Sequence, residues 1–526
     1  MRLKLADNRY LICNQYSGAV HVVNSGWWDT LGLDRLFFHG NSKPTSTIVD
    51  VDNFKKSAIR EKLATRQELE QLDLFGYLLT EDRRISYEKR LEDFSIAKKA
   101  KRPHMIYFTP TVECPLSCIY CFENHSRGGS IKRHLSYTDL GAIDHFIESY
   151  RQENDLPAGN ISLTLFGGES LMPSLKQFNE GIFALARRRG YFLDVVTSGV
   201  FFDDFYRGLF FRYQDILREV DITLDGPQGT HDQLRHWRNG GSTYGIIKGN
   251  IDKMLKMGVR VMVKTNFGKA TINSIESLLD AMIGYGWFAH PCFLYTTNIL
   301  RGFGGTDTNG QEVSEAQSVL KIVEVFKKEP YGRLLPKIRI ESLKITDYMS
   351  NALGLLEIRT DPTKVINKFD GYPKYAFCHP DDGTMVNISY NGNVYTCNWA
   401  AGKDSLCVDN IFNEPDKRRW AWKSNEIVSK KKYCKLCDLS TFCGGGCPID
   451  KQEKGTNEYH LECRKSHYRT LQEYIRRVLE RKWIEVNQSS RNLITLRKGF
   501  NFNYQYESRI SRHGTIKDDN EHRSVS

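Results

Sequence analysis

Between about residue 104 and residue 300, short β-branched or aromatic runs alternate with stretches in which apolar residues recur every three or four positions. The runs HMIYFTP (104–110), ISLTLFGG (161–168), FLDVVTSG (192–199), VDITLDG (220–226), VRVMVKTN (259–266) and PCFLYTT (291–297) predict strands. The stretches DLGAIDHFIESYRQ (139–152), LKQFNEGIFALARRR (175–189) and GIIKGNIDKMLKM (245–257) predict amphipathic helices between them. Repeated strand, helix, strand implies right-handed crossovers and a parallel sheet. Six such units suggest a partial (β/α)6 barrel, with its chemistry at the C-terminal strand ends.

The flanks follow other patterns. RYLICNQYSGAVHVVN (9–24) holds two β-branched runs joined at Ser17-Gly18 and predicts a hairpin; a helix is expected around SGWWDTLG and a longer one over REKLATRQELEQLDLFGYLL, stopping after Gly76. Residues 1–100 are therefore a small α+β unit, 101–300 the barrel, and 301–375 a connector with helical pattern after the loop RGFGGTDTNG. Residues 376–470 are rich in Cys, Gly, Asn and Asp, too loop-like to fold on apolar burial alone, so bound metal is expected to stabilise them. A helix near 467–486 and an alternating stretch, FNFNYQY, read as an added strand in 471–526.

Composition narrows the class. The chain has 526 residues, 40% of them hydrophobic, which fits a multidomain globular protein and excludes a disordered one. A net charge of +11 without clustering is no nucleic-acid footprint, though it suits an acidic peptide. The N-terminus lacks the apolar run of a signal peptide, and no run of eighteen apolar residues occurs, so a cytoplasmic protein without a membrane partner is expected. In a reducing compartment, thirteen cysteines at short regular spacings read as metal or redox ligands before disulfides.

Cys114, Cys118 and Cys121 form C-x3-C-x2-C directly after the first barrel strand. Three thiolates on one loop suit three irons of a [4Fe-4S] cube, leaving the fourth iron open; the alternative is a zinc knuckle lacking one ligand. Tyr120 precedes the last thiolate. Phe166-Gly167-Gly168-Glu169 ends the second strand, where two glycines allow close backbone approach and a carboxylate can meet an ammonium group. An ordinary strand-end turn would look the same. Thr197-Ser198-Gly199 and Thr223-Leu224-Asp225-Gly226 close the next two strands, and His231-Asp232-x2-Arg235 follows, as an anion site or a surface helix cap with an ion pair. Further on lie Cys378, Cys397, Cys434, Cys437, Cys443, Cys447 and Cys463; a zinc ribbon would account for 434–447 alone.

Together these motifs resemble the radical S-adenosylmethionine (radical SAM) enzymes with a C-terminal SPASM extension. That resemblance implies Cys114, Cys118 and Cys121 as ligands of the cluster that binds S-adenosylmethionine, cleaved on reduction to a 5'-deoxyadenosyl radical. It implies Tyr120 near the adenine, Gly167, Gly168 and Glu169 at the methionyl amine, and Ser198, Thr223 and Arg235 at ribose or carboxylate. It assigns Cys434, Cys437, Cys443 and Cys463 to one auxiliary [4Fe-4S] cluster and Cys378, Cys397 and Cys447 to the other. Cys407 lies outside the pattern, Cys13 reads as a core residue, and Cys292 in the sixth strand is a candidate hydrogen donor to a substrate radical.

Residues 1–100 resemble the winged-helix leader-peptide recognition units of peptide-modifying enzymes, with a plain packing unit as the alternative. The resemblance implies a maturase acting on a ribosomally made precursor peptide or protein, served by a one-electron reductant such as flavodoxin or ferredoxin. Sulfatase maturases of this kind place an Asp immediately after the second SPASM cysteine as the base. Here that residue is Asn398, and an amide takes no proton at neutral pH. The expectation is therefore cross-linking of the peptide through a thioether or carbon–carbon bond. Epimerisation and formylglycine formation are alternatives, as are a small-molecule radical SAM dehydrogenase and, outside catalysis, an iron–sulfur electron-transfer or peptide-binding protein.

Overall fold

The computed structural model describes residues 2–4, 8–13, 20–33, 50–123 apart from scattered positions between 75 and 101, 134–300, 308–339 except 327, 376–414 except 377, 444–445 and 493–497. The N-terminal unit is β1 (Arg2–Lys4), β2 (Arg9–Cys13), β3 (Val20–Asn24), then α1 (Ser25–Thr30), α2 (Val51–Arg60) and α3 (Arg66–Leu74). The expected hairpin and first helix are present. The longer helix, expected from about residue 60 to Gly76, instead begins at Arg66 as α3, and a separate helix, α2, ends at Arg60 before it. Lys62 takes φ +56°, a left-handed conformation that cannot continue a helix. Thr65 and Glu68 then start α3 with a reciprocal capping box: Glu68 accepts the Thr65 N–H at 2.8 Å and Thr65 Oγ1 accepts the Glu68 N–H at 3.2 Å. The unit has its own core, centred on Ile12, Val23, Trp28, Leu69, Leu72 and Leu78.

Six parallel strands follow in sequence order: β4 (His104–Thr109), β5 (Ile161–Leu165), β6 (Phe192–Thr197), β7 (Leu217–Thr223), β8 (Val261–Phe267) and β9 (Phe293–Ile299). They coincide with the six predicted runs. Helices α4 (Leu140–Glu153), α5 (Lys176–Arg189), α6 (Asp204–Arg212), α7 (Gln228–Leu234), α8 (Tyr244–Lys256) and α9 (Lys269–Gly284) lie between them. All five residues of β5 are buried, as expected of a parallel strand covered on both faces, while α4 buries Ile143, Phe146, Ile147 and Tyr150 at the spacing of one helical face. The sheet stays open, which makes the barrel partial.

Both ends of this sheet are extended. After α10 (Glu315–Phe326), β10 (Ile338–Arg339) adds in parallel to β9. On the other side β11 (Met385–Ser389) pairs in parallel with β4 over five positions, and β12 (Asn393–Tyr395) and β13 (Asp409–Asn410) continue antiparallel. The start of the second cysteine-rich segment is thus part of the barrel sheet. A last strand, β14 (Leu493–Arg497), pairs antiparallel with β3. The tail does add a strand, but it is LITLR; the expected FNFNYQY, like the helix at 467–486, lies outside the described residues. Among the described residues no helix is long and apolar enough to cross a membrane.

Three histidines are interior: His21 in β3, His104 in β4 and His231 in α7. Burial pushes their pKa values down to about 3, 4 and 3 respectively. Each is neutral in the folded chain, whereas the unfolded chain gains a proton near the ordinary value of 6.5. Stability is therefore complete above that value and is lost as pH falls from it toward the folded-state values. Between pH 6.5 and 5 the expected loss is about 2 kcal/mol per histidine. Thermal melts across this range check it, and His231→Gln should flatten the slope; an unchanged slope would contradict a buried neutral His231.

Candidate active site

The loop after β4 carries Cys114, Cys118 and Cys121, none in a disulfide, the first two buried and the third half-buried. It is splinted along the segment that follows α7. Ser117 N–H donates to His236 O at 2.9 Å, Ile119 N–H to Leu234 O at 3.1 Å and Arg238 N–H to Pro115 O at 3.0 Å. Among the described residues no three His, Cys, Asp or Glu side chains converge where one metal ion would sit. A [4Fe-4S] cube takes each thiolate at a different corner, which suits three thiols spread along one loop.

Gly167 and Gly168 press against the backbone just before Cys114. Gly167 has φ +111°, Gly168 N–H donates to Thr111 O at 3.0 Å, and Glu169 N–H to Glu113 O at 2.9 Å. A Cβ on Gly168 would stand 2.6 Å from the Val112 and Glu113 carbonyl carbons, closer than real contacts allow. The glycines thus let the second strand end support the cysteine loop. Gly168→Ala is expected to cost about 1–3 kcal/mol and to lower iron uptake on anaerobic reconstitution. Full iron content with an unchanged melting temperature would refute this role.

Glu169 is fully buried and joins two strand ends. Its Oε1 accepts from Leu171 N–H at 2.9 Å and Thr197 Oγ1 at 2.5 Å; its Oε2 accepts from Ser198 N–H at 2.8 Å and from the Ser198 hydroxyl. Ser198 is therefore part of the Glu169 clamp. Thr223 ends β7 and is buried.

Tyr120 belongs to a buried polar cluster that sequence reasoning did not assemble. Its hydroxyl donates to Asp225 Oδ2 and accepts from Arg235 Nη1 at 3.1 Å and Asn266 Nδ2 at 3.4 Å. Asp225 Oδ1 accepts the Asn266 N–H at 2.7 Å, and Arg235 Nη1 lies 3.9 Å from Asp225 Oδ2. Burial pushes the Asp225 carboxyl and the Tyr120 phenol up from their ordinary values. Burial also opposes the Arg235 charge, but Cys118, Tyr120 and Asp225 outweigh it, and the guanidinium pKa lies well above its ordinary value. Asp225 and Asn266 were visible only as polar residues at the ends of TLDG and VRVMVKTN; their meeting with Tyr120 is a long-range event.

The rest of the His231 motif is structural. His231 Nδ1 accepts the Asp225 N–H at 3.1 Å and faces Thr243 Oγ1 through Nε2, so the neutral ring carries its proton on Nε2. Asp232 accepts from Thr243 N–H at 2.9 Å and Tyr244 N–H at 3.0 Å, capping the start of α8. Only Arg235 turns toward the cysteines.

Cys292 requires a correction. It precedes β9, at the N-terminal end of the sheet, and its thiol donates to Gly258 O at 3.4 Å. The cysteine loop leaves the opposite, C-terminal end, and a seven-residue strand separates the two by about 20 Å. A hydrogen donor to a radical formed there cannot sit at Cys292.

Of the auxiliary cysteines, Cys378 and Cys397 are described; Cys434, Cys437, Cys443, Cys447 and Cys463 lie outside the described residues. Cys407 packs in the same small apolar cluster as Cys397, its thiol donates to Asp409 O at 3.1 Å, and burial pushes its pKa up. The two cysteine regions meet through aromatic rings. Phe122, next to Cys121, packs against Trp399, two residues after Cys397, with ring centroids 4.1 Å apart, and the Phe166 centroid lies 6.3 Å from that of Phe122.

An open α/β barrel with a cysteine triplet hung from its first strand and a glycine–glutamate support from its second resembles the radical SAM class of iron–sulfur enzymes. Residues 105–247 match the family of 4Fe-4S single cluster domains. The serine-type anaerobic sulfatase-maturating enzyme of Bacteroides thetaiotaomicron is 23% identical over 356 residues, 64% of this chain and 80% of that protein. The solved structure of anSMEcpe with bound AdoMet aligns with a TM-score of 0.52 at 16% identity, over 74% of this chain and 96% of that one. The native form with AdoMet and the Kp18Cys peptide gives 0.52 at 15% identity, over 73% and 98%.

Proposed function

We propose that this chain is a radical SAM maturase that oxidatively modifies a peptide or protein substrate. The observation that carries the reading is the buried Arg235 beside Cys118: its Nε has no hydrogen-bond partner although the residue is only 8% exposed. A buried cationic donor left over at a cysteine loop suits the carboxylate of a bound amino-acid group. Cys114, Cys118 and Cys121 would hold the first cluster, with Arg235, Ser198 and Thr223 toward S-adenosylmethionine and the Tyr120 ring toward its adenine. When bound, cluster and cofactor supply a radical that takes a hydrogen atom from the substrate. Glu169 fixes the strand ends in register and is the charge opposite an ammonium. Asp225, Asn266 and Arg235 hold the Tyr120 ring in one orientation.

The finer reading is cross-linking of a precursor peptide captured by residues 1–100. Joining two atoms with loss of two hydrogens is a two-electron oxidation; one hydrogen leaves as an atom, and the second as a proton whose electron needs an acceptor. The auxiliary clusters that Cys378, Cys397 and Cys447 and that Cys434, Cys437, Cys443 and Cys463 would hold would take that electron, while an external reductant such as flavodoxin or ferredoxin would supply the one that cleaves S-adenosylmethionine. Asn398 favours this reading, since it offers no carboxylate as base beside Cys397. Formylglycine formation is the second reading, favoured by the relative matched over 80% of its length.

Anaerobically reconstituted protein with S-adenosylmethionine and dithionite should release 5'-deoxyadenosine, and its absence would overturn the proposal. Co-expression with peptides encoded by short reading frames beside the gene should then yield a product lighter by about two mass units. Oxidation of serine to formylglycine loses the same two hydrogens, so hydrazine trapping of an aldehyde separates the readings: a trapped product selects formylglycine, an untrapped one with a linked fragment selects the cross-link.

A further inference from the structure

Polar side chains in the middle of β8 and β9 take no part in the cluster at the cysteine loop. Register across the sheet places Thr223 of β7, Lys264 of β8, Thr296 of β9 and Arg339 of β10 in one row. Their strand neighbours Val263 and Tyr295 pack in the main apolar core, so alternation turns Lys264 and Thr296 to the opposite face. That face is the interior of the open barrel. Asn266, two residues past Lys264, meets Tyr120 there. Met262, two residues before Lys264, has its Sδ 3.9 Å from Arg339 Nη1, and the same nitrogen donates to Glu219 Oε1 at 3.0 Å. Glu219 and Arg339 thus meet across β8 and β9, as residues on the concave side of a curved sheet do.

Lys264 therefore stands between two layers, each about 7 Å away along its strand: the Glu219–Arg339 pair over Met262 below, and the Tyr120 cluster at Asn266 above. The charge of Arg339 is answered by Glu219. That of Lys264 is not: the side chain is half-buried and makes no ion pair or hydrogen bond among the described residues. Asp221, the nearest acid by register, stands beside Met262 in the layer below. Directly opposite Lys264, at about 5 Å between backbones, Thr296 is fully buried and its Oγ1 has no hydrogen-bond partner. Buried polar groups are ordinarily satisfied, so an ammonium and an unspent hydroxyl side by side inside a barrel point to a ligand.

We propose that Lys264 and Thr296 form a carboxylate subsite inside the barrel, one layer beneath the Tyr120 cluster, which selects a substrate peptide bearing an acid close to the residue that is modified. The inference rests on the peptide-maturase reading and adds the chemistry that the substrate must present. The ammonium pairs with one carboxylate oxygen and the hydroxyl donates to the other. An amide of the same shape offers one acceptor and leaves the ammonium uncompensated, so the site discriminates by charge. An aspartate or glutamate side chain and a C-terminal α-carboxylate supply the same group. The methionyl carboxylate of S-adenosylmethionine is assigned elsewhere, to Arg235, whose Nε is the unpartnered donor beside Cys118.

The test uses the full chain, reconstituted anaerobically, and the peptide encoded beside the gene. That peptide competes at equal concentration with forms in which each Asp or Glu is replaced in turn by Asn or Gln, and with one amidated at its C-terminus; mass spectrometry reads the product ratio. Wild type is expected to prefer the acid over one of these amides at least tenfold, and the amide that matters identifies a side-chain or a terminal carboxylate. Lys264→Met should bring that ratio close to one, and Lys264→Arg should keep it. Thr296→Val should lower it several-fold without lowering the melting temperature, since only an unpartnered hydroxyl is removed; this variant carries the test if Lys264→Met does not fold. A ratio unchanged by both Lys264→Met and Thr296→Val overturns the proposal. So does loss, in Lys264→Met, of the change that S-adenosylmethionine makes in the electron paramagnetic resonance of the reduced first cluster, which would make Lys264 a cofactor contact. Wild type that modifies acid and amide peptides equally sinks the subsite and leaves the maturase standing, whereas wild type that modifies none of them sinks both.

Discussion

Asp225→Ala is expected to destabilise the protein by about 3–5 kcal/mol, because it removes the carboxylate facing Arg235 and leaves a buried guanidinium without its counter-charge. The carboxylate is fully buried, and its removal also strips Tyr120 and the Asn266 N–H of their acceptor. Asp225→Asn keeps an acceptor oxygen at nearly the same place and removes only the charge. If the charge pairing dominates, thermal melts will show both variants strongly weakened; if the hydrogen bonds dominate, the asparagine variant will recover most of the loss. Two near-wild-type melting temperatures would show that the cluster around Tyr120 does not hold the loop.

The second large effect is at Cys118. Cys118→Ala should abolish 5'-deoxyadenosine release and remove about four of roughly twelve irons per chain. Cys407→Ala should leave the iron count unchanged, since that thiol is protonated and committed to the Asp409 carbonyl. Loss of about four irons from the Cys407 variant instead would make it a ligand. Iron analysis and electron paramagnetic resonance of the reduced proteins distinguish the cases independently of turnover.

The barrel was legible because β5 is buried throughout and the other strands are short β-branched or aromatic runs, and polar residues at or just past some strand ends, Thr197, Ser198, Asp225 and Asn266, now lie at the site. The cysteine triplet and Gly167-Gly168-Glu169 were legible as motifs, but their mutual support was not. That Gly168 must lie against Val112 and Glu113 is a statement about two loops about 55 residues apart, which no local pattern encodes. The same holds for Tyr120 with Asp225, Arg235 and Asn266. The break between α2 and α3 was encoded and overlooked: Thr65-x-x-Glu68 is a capping box, and a helix-forming composition on both sides concealed it. β11 was hidden by its setting. Met-Val-Asn-Ile-Ser carries two polar residues that are fully buried, so neither alternation nor an apolar run announced it among the cysteines and turns. Cys292 was misplaced because strand membership says nothing about which end of a strand a residue occupies relative to the chemistry.

The pairing of β11 with β4 bears on how the protein is made. β4 is the first barrel strand to leave the ribosome, and its outer flank stays bare until a partner about 280 residues later is synthesised. At about 5–20 residues per second this interval is on the order of tens of seconds, in which the nascent chain exposes an unpaired strand beside the three cysteines of its loop. Seating of β11 closes that flank and brings Trp399 onto Phe122 beside Cys121. Insertion of iron during synthesis thus meets an unfinished wall, whereas insertion after release meets a closed one.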